Sequence, residues 1–400
     1  MSFESSRAKL IKPSPAITIS TAAKAMKAEG LPVIDLSIGE PDFGTPDNVI
    51  EAAYAAMKRG ETRYTAPDGT PALKDAVIEK FRRENGLNFE RANISCGNGA
   101  KQILFNALMA TIEPGDEVIC PAPYWISYTD MTLLVGGTPK IVECAQEDEF
   151  KLTPAALEAA ITDKTRWLFL NSPSNPSGVT YTREELAALG TVLARHPRVL
   201  IMSDEIYEQI YYADTPFCSF GIACPELADR TVIANGVAKA YAMTGWRIGY
   251  AAAPVALARV MSKIQSQSTS NPCSISQAAA IEALTGPQDF VDTARATYRE
   301  RRDLIVTGLR AIDGVEVVEP SGAFYAYPSL AAFIGRRGPD GTVMADDSDL
   351  TRYILDAAMV AGVQGAAFGL SPHIRLSYAA STDDLKTALE RLKDALGALK

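Results

Sequence analysis

Within the run AKAYAMTGWRIGY (238–250) a single lysine, Lys239, follows the apolar segment 231–236 and precedes Arg247 by eight residues. Burial disfavours the ammonium form, so a lysine drawn into such a stretch becomes a free amine that can attack a carbonyl. A lysine that snorkels its head to water from a loop between two strands is the alternative. The other chemically capable residues favour the nucleophile.

Those residues collect at the ends of apolar runs. SDEIYE (203–208) puts Asp204 at the end of one run and Tyr207 three residues on. Asp204 there is either a helix cap or the partner of a buried cation. A pyridinium nitrogen would be such a cation, kept protonated by the carboxylate and so a stronger electron sink. Tyr207 could then donate to a phenolate oxygen on the same ring. Asn175, in NSPSNPSG (171–178), could be a second donor, or the segment is simply a turn-rich loop. GNGAKQ (97–102) joins a strand-like run to a helix-like one, and such turns bring backbone N–H groups and a helix N-terminus close to phosphate. It lacks the Gly-Lys-Ser/Thr ending of a Walker sequence, and a glycine turn can be purely structural. Lys101 in the first helical turn would oppose the helix dipole, which a bound anion would explain. Arg247 and Arg375, the latter in RLSYA (375–379), stand at or in strand-like runs where a planar guanidinium calls for a ligand anion or a buried ion-pair partner. Trp125 in APYW (122–125) offers a flat face for a heteroaromatic ring, or fills a core.

The composition narrows the chemistry further. Of 400 residues, 47% are hydrophobic and 22% charged, near the globular average, and the longest apolar runs (167–170 and 199–202) are far too short to span a membrane. The N-terminus has basic residues but no apolar segment behind them, so a cytoplasmic location is expected. Six cysteines lie far apart without a Cys-x-x-Cys pair, as reduced thiols do. A net charge of −9 disfavours nucleic acid as a partner. Only two histidines exist, His196 and His373, and no Gly-x-Ser-x-Gly occurs, so histidine metal sites and Ser-His-Asp hydrolysis are improbable and no metal is expected. A nicotinamide fold would need a third glycine that GNGAKQ does not supply.

Short apolar runs at 93–96, 117–120, 138–142, 165–171, 199–204, 231–236 and 247–252 alternate with helix-like segments that include 101–112, 153–161 and 183–196. That alternation predicts an α/β core on a mainly parallel sheet, with ligands at the carboxyl ends of the strands. Outside it lie a helix-like segment at 21–29, a strand-like run at 33–38, a long helix at about 288–311, strand-like pieces at 315–318, 324–327 and 374–378, and helices at 349–361 and 382–399. These predict a smaller α+β domain built from both termini (1–45 and 291–400) beside a large domain at 46–290. Residues 335–341 read as a surface loop.

Taken in order, GEPDFGTP (39–46), Tyr64, GNGAKQ, APYW, NSPSNPSG, SDEIYE, AKAYAMTGWRIGY and RLSYA resemble the pyridoxal-phosphate-dependent aminotransferases of fold type I, class I, and among them the bacterial aspartate aminotransferase subgroup Ib. The resemblance covers nearly the whole chain. It implies a mainly parallel seven-stranded sheet between helices and pyridoxal 5'-phosphate as cofactor. Lys239 would be the Schiff-base lysine and proton shuttle, Asp204 the partner of the pyridine nitrogen, and Asn175 and Tyr207 the donors to the ring oxygen. Trp125 would stack on the ring. N–H groups near Gly99 and Ala100, Arg247, and Tyr64 from a neighbouring subunit would hold the phosphate, which implies a homodimer with shared active sites. Arg375, aided by Asn175 and the backbone at Gly39, would bind the substrate's α-carboxylate.

For the distal carboxylate, many relatives use an arginine in a segment corresponding to QSQSTSNP (265–272), which has none; Lys101 matches the lysine thought to compensate in subgroup Ib. Transfer of the amino group of L-aspartate to 2-oxoglutarate is therefore the expected activity. An aromatic or prephenate aminotransferase is the alternative within the family, and a non-catalytic relative the alternative outside enzymes. Ala16 in KPSPAIT (12–18), where some prephenate enzymes carry threonine, counts against prephenate. Ala238 replaces a common phosphate-binding serine and Gln364 a common proline.

Overall fold

The structure, a computed structural model, describes residues 3–11, 13 and 15–400; residues 12 and 14 and the side chain of Ala16 lie outside the described residues. The strands in chain order are β1 (Ile34–Asp35), β2 (Ile94–Gly97), β3 (Glu117–Ala122), β4 (Thr138–Glu143), β5 (Thr165–Asn171), β6 (Leu200–Asp204), β7 (Thr231–Gly236), β8 (Gly249–Ala252), β9 (Tyr325–Ala326), β10 (Val360–Ala361), β11 (Val363–Gln364) and β12 (Ile374–Ser377). Seven of them form one sheet in the order β2-β8-β7-β6-β5-β3-β4, matching the seven runs expected. All neighbours are parallel except β8, which runs antiparallel to both β2 and β7.

Packing explains which runs became central. Every residue of β7 is buried, as in a strand covered on both faces, whereas β4 at the edge carries exposed Thr138 and Glu143 and half-buried Lys140. Several helices begin where the sequence supplies side-chain caps. Thr153 and Thr70 each cap a helix with proline at its start, Pro154–Ala160 and Pro71–Lys80, and Thr182 with Glu185 closes a capping box on Arg183–Ala194. Helices Asp47–Lys58, Val255–Ser268 and Ser274–Thr285 also cover the sheet region, though the alternation of apolar runs does not single them out.

A second hydrophobic cluster joins Ile34 and Leu36 to residues between 294 and 399, including Ile305, Leu350 and Leu392 on helices Asp289–Arg310, Asp347–Ala358 and Thr382–Gly397. Tyr207 also belongs to this cluster, so the segment after β6 is clamped between the main sheet and the C-terminal elements. Here the structure corrects several boundaries. The N-terminal helix starts at Pro15 rather than 21, the run 33–38 shortens to β1, and 324–327 shortens to β9. No strand forms at 315–318, where Glu316 makes only an isolated bridge to Ser329. β1 has one partner, β10, and the chain beyond it is claimed by the site: the Ser37 and Gly39 carbonyls accept from side chains instead of a neighbouring strand.

The segment after β6 is also fixed by a buried ion pair. Lys80, at the end of its helix and 1% exposed, donates to Glu208, whose oxygens also accept from Asn235 Nδ2 at 2.8 Å and Asn85 Nδ2 at 2.7 Å. Removing one charge of such a pair leaves the other uncompensated. Lys80→Met is expected to lower the unfolding free energy by about 3–5 kcal/mol in a urea titration; a loss below about 1 kcal/mol would show that Glu208 does not depend on it.

Candidate active site

The carboxyl ends of β5, β6 and β7 open into a cavity of about 500 Å³ that also receives residues 37–40, the turn at Gly99 and Arg375. Asp204, the last residue of β6, is paired in register with Asn171 of β5 and Ala234 of β7. Its Oδ2 accepts from the Tyr128 hydroxyl at 2.7 Å and its Oδ1 from the Ile206 N–H at 3.3 Å. No helix follows, so the cap reading of Asp204 fails. Burial outweighs those two donors and pushes the Asp204 carboxyl up to about 6. A cation placed against it would stabilise the charged form and bring that value back down.

Lys239 lies in the connection between β7 and β8, with Nζ 2.6 Å from the Gly39 carbonyl oxygen and 5.9 Å from the centre of the Tyr207 ring. Burial first, then the charge of Arg375, brings the amine down to about 8; Glu40 pulls the other way, followed by smaller effects of Arg247 downward and Asp204 upward. The snorkelling alternative is not what the fold does: the head points at a backbone carbonyl 200 residues away in sequence.

At the other end of the cavity the chain makes an anion cradle. Gly99, with φ of +84°, caps helix Ala100–Met109 without a side-chain acceptor; the Gln102 N–H reaches the Gly99 carbonyl at 3.1 Å, while those of Ala100 and Lys101 precede any intrahelical acceptor. A Cβ on Gly99 would stand 2.6 Å from Arg247 Nη2, and one on Gly249 would collide with the Ala100 nitrogen, so both positions require glycine for close approach. Arg247, itself at φ +58°, donates to the carbonyls of Thr244 at 2.9 Å and Asn98 at 3.3 Å. Lys101 Nζ sits 4.8 Å above the ring of Trp125, which is half-buried and lines the cavity. Ala238 lines the same cavity, so the hydroxyl that a serine would bring there is missing.

Arg375 in β12 is buried, and its partners are uncharged. Nη1 donates to Asn175 Oδ1 at 3.0 Å and Nη2 to the Ser37 carbonyl at 2.5 Å, while Nε has no partner. Its guanidinium lies 4.7 Å from the Tyr325 ring and 5.1 Å from Phe368. The ion-pair reading is thus not realised, and a buried guanidinium without an anion is a binding site for one. Asn175 is buried in a turn that follows the cis Ser172–Pro173 bond, its N–H held by Asn171 Oδ1 at 2.7 Å. Tyr207 is buried, and its hydroxyl meets that of Tyr325 at 2.8 Å.

The structure therefore brings together Gly39, Gly99, Ala100, Lys101, Trp125, Asn175, Asp204, Tyr207, Lys239, Arg247 and Arg375. Tyr64 does not join them: it is 89% exposed and lies outside this cavity. Gln364 sits on β11 opposite Ile374, one residue from the Val363–Arg375 pairing, with its Oε1 buried and unpartnered. In 265–272, Gln265 is structural, donating to the Pro67 and Cys96 carbonyls. Sequence reading missed Tyr128, Asn171, Ser37 and Tyr325. Tyr128 stands three residues past Trp125, where the turn into helix Ser127–Leu134 could have signalled it; Tyr325 had no signal beyond its place in an aromatic run.

These donors fit pyridoxal phosphate on the chemistry of the set: a carboxylate lacking a cation, an amine of lowered basicity, a glycine cradle closed by a guanidinium, and a second unpaired guanidinium. Among known proteins, the family model for aminotransferase class I and II matches residues 32–392. An aspartate/prephenate aminotransferase of Cereibacter sphaeroides is 53% identical over 393 residues, covering 98% of each chain. The crystal structure of the aspartate aminotransferase from Rhizobium meliloti superposes with a TM-score of 0.97 at 50% identity over all of both chains. A Thermus thermophilus aspartate aminotransferase with maleate gives 0.92 at 41% identity, covering 99% of this chain and all of that one.

Because the folded Asp204 pKa lies above that of a free carboxyl, its charge costs stability that is fully felt above about pH 6 and relieved as pH falls through that value. Asp204→Asn should therefore match or exceed the wild-type apoprotein in thermal stability at pH 7.5, while binding pyridoxal phosphate at least about tenfold more weakly. A clear drop in apoprotein Tm would contradict that assignment of cost.

Proposed function

As this chain belongs to the class I and II aminotransferases, we propose that it is an aspartate aminotransferase, moving the amino group of L-aspartate to 2-oxoglutarate with pyridoxal 5'-phosphate in two ping-pong half-reactions. The observation that carries this reading is one cavity in which an amine near 8, a carboxylate near 6 and two guanidinium groups all have uncharged partners. When bound, the cofactor supplies a carbonyl for amine exchange and a ring that accepts electron density from the substrate Cα. Lys239 would hold it through its amine, and as an amine of lowered basicity would serve as the general base that accepts the substrate Cα proton. Asp204 would pair with the ring nitrogen, Tyr207 and Asn175 would donate to the ring oxygen, and Trp125 would stack on the ring. The N–H groups around Gly99 and Ala100, with Arg247, hold the phosphate.

Arg375 takes the α-carboxylate with Asn175 and the Gly39 backbone, and Lys101 takes the distal one. The maleate in the Thermus thermophilus structure is a dicarboxylate, which supports that choice. A second reading, transamination of prephenate, draws support from the Cereibacter sphaeroides relative. We read 46–290 as the cofactor-binding domain and both termini as the smaller one, supported by the separate cluster around Ile34, Ile305 and Leu392. A homodimer is proposed in which Tyr64 reaches the phosphate of the other subunit's site; exposed Ile50, Tyr54 and Met57 on one helix give it an apolar face. Six unpaired cysteines, and no described helix long and apolar enough to cross a membrane, suit the cytoplasm.

The direct test is the visible spectrum of the holoenzyme on adding L-aspartate or L-phenylalanine without an oxo acid. Bleaching of the bound-cofactor band by aspartate, and only weakly by phenylalanine, is expected; conversion chiefly by phenylalanine would move the protein to the aromatic class. Lys239→Ala should lower kcat by at least about a thousandfold while cofactor still binds through its phosphate and ring contacts. Lys101→Ala should cut kcat/KM for aspartate about 10- to 100-fold with little change for phenylalanine. Equal losses on both would place the distal anchor elsewhere.

A further inference from the structure

Tyr325 touches three parts of the site without being one of its expected residues. Its hydroxyl is 2.8 Å from that of Tyr207, its ring lies 4.7 Å from the Arg375 guanidinium, and a Cβ on Gly39 would stand 2.5 Å from its oxygen. It is fully buried on β9, paired in register with Ser377, two residues along β12 from Arg375. Phe324 packs tilted against it, with ring centres 4.8 Å apart, so the ring has little freedom to turn away.

A tyrosine hydroxyl has one proton to give. Between Tyr207 and Tyr325 either oxygen can be the donor when the cavity holds no acceptor. Once Tyr207 gives its proton to an acceptor in the cavity, the only proton left for the 2.8 Å contact is that of Tyr325. Burial keeps both phenols in the protonated form, so the relay is from Tyr325 to Tyr207 to ligand. The same ring and that of Phe368 both pack on the Arg375 guanidinium, at 4.7 and 5.1 Å, so aromatic faces restrict where that group can move.

We propose that Tyr325 is a positioning residue with two separable roles: its hydroxyl polarises Tyr207 toward the cofactor's ring oxygen, and its ring orients Arg375 for the substrate carboxylate. This rests on the aminotransferase reading above. The ring oxygen carries its fullest negative charge in the deprotonated, high-pH form of the holoenzyme, so a stronger donor favours that form and holds the titration midpoint low.

The test uses holoenzyme of wild type, Tyr325→Phe, Tyr325→Leu, Tyr207→Phe and the Tyr207→Phe/Tyr325→Phe double variant. Two quantities are read: the midpoint pH of the visible band, and the dissociation constant of maleate from its spectral change. Tyr325→Phe keeps the ring and loses the proton, so its midpoint should rise by about 0.5 to 1 pH unit with maleate binding within about twofold of wild type. In the Tyr207→Phe background the same change should add almost nothing, because the relay is already cut. Tyr325→Leu should in addition weaken maleate by about fivefold or more. An unmoved midpoint in Tyr325→Phe, or an undiminished shift in the Tyr207→Phe background, overturns the hydroxyl role; wild-type maleate affinity in Tyr325→Leu overturns the ring role. A wild-type chain that forms no visible band with pyridoxal phosphate would instead refute the aminotransferase reading itself.

Discussion

Asp204 is taken out of water at the carboxyl end of β6 and left with a phenol and a peptide N–H for company. Two neutral donors cannot replace the hydration of a carboxylate, which is why its proton affinity rises. Around the same cavity Lys239, Arg247 and Arg375 bond to backbone carbonyls and an amide rather than to acids. Burial, then the Arg375 charge, lowers the basicity of Lys239, and among the described residues the hydrogen-bond partners of both guanidinium groups are uncharged. The folded chain alone holds these charges at a cost that ordinary structural ion pairs do not carry. A ligand presenting a cation to Asp204, a dianion to the Gly99 turn and a carboxylate to Arg375 removes that cost at each point. Binding and fold stability are therefore linked through the same groups.

The scaffold meets this demand by separating the two ends of the ligand. The cradle at Gly99 is a backbone feature, dependent on two glycines where side chains would collide, and β8 packs directly against it. The carboxylate end is assembled from distant parts of the chain: the Ser37 carbonyl and Arg375 are 338 residues apart, and Asn175 lies 200 from the arginine. β12 reaches the cavity only because the cluster around Ile34, Ile305 and Leu392 holds the terminal elements together. Tyr207, anchored in that cluster and bonded to Tyr325, spans both regions.

Polar residues near the cavity divide into those that face it and those that brace it. Gln265, in the segment where an arginine is absent, spends its amide on the Pro67 and Cys96 carbonyls and on Asn106 Nδ2. It ties helix Val255–Ser268 to β2, and so to the strand leading into the Gly99 turn. Lys80 and Glu208 brace the far side of the segment after β6 in the same way. Lys101 is the one lysine of the glycine turn that faces open space, resting on Trp125.

Much of this protein was legible in the residue string alone. Seven apolar runs marked the seven strands, most plainly the central ones, because strands buried on both faces cannot hide a polar residue without a partner. Lys239, Asp204, Asn175, Arg247 and Arg375 were legible for the complementary reason: a charged or amide group in or beside an apolar run is costly unless it has a task. The sequence could not show which groups are neighbours across hundreds of residues. Tyr128 against Asp204, Tyr325 against Tyr207, and the Gly39 carbonyl against Lys239 are contacts between segments whose local patterns read as ordinary aromatic or turn sequence. The short strands β1, β9, β10 and β11 were illegible or overdrawn because two residues carry no period, and their extent depends on which backbone groups the site claims. Residue type determined what chemistry was possible here; tertiary packing alone decided where each proton and charge sits, because distance and burial set those energies.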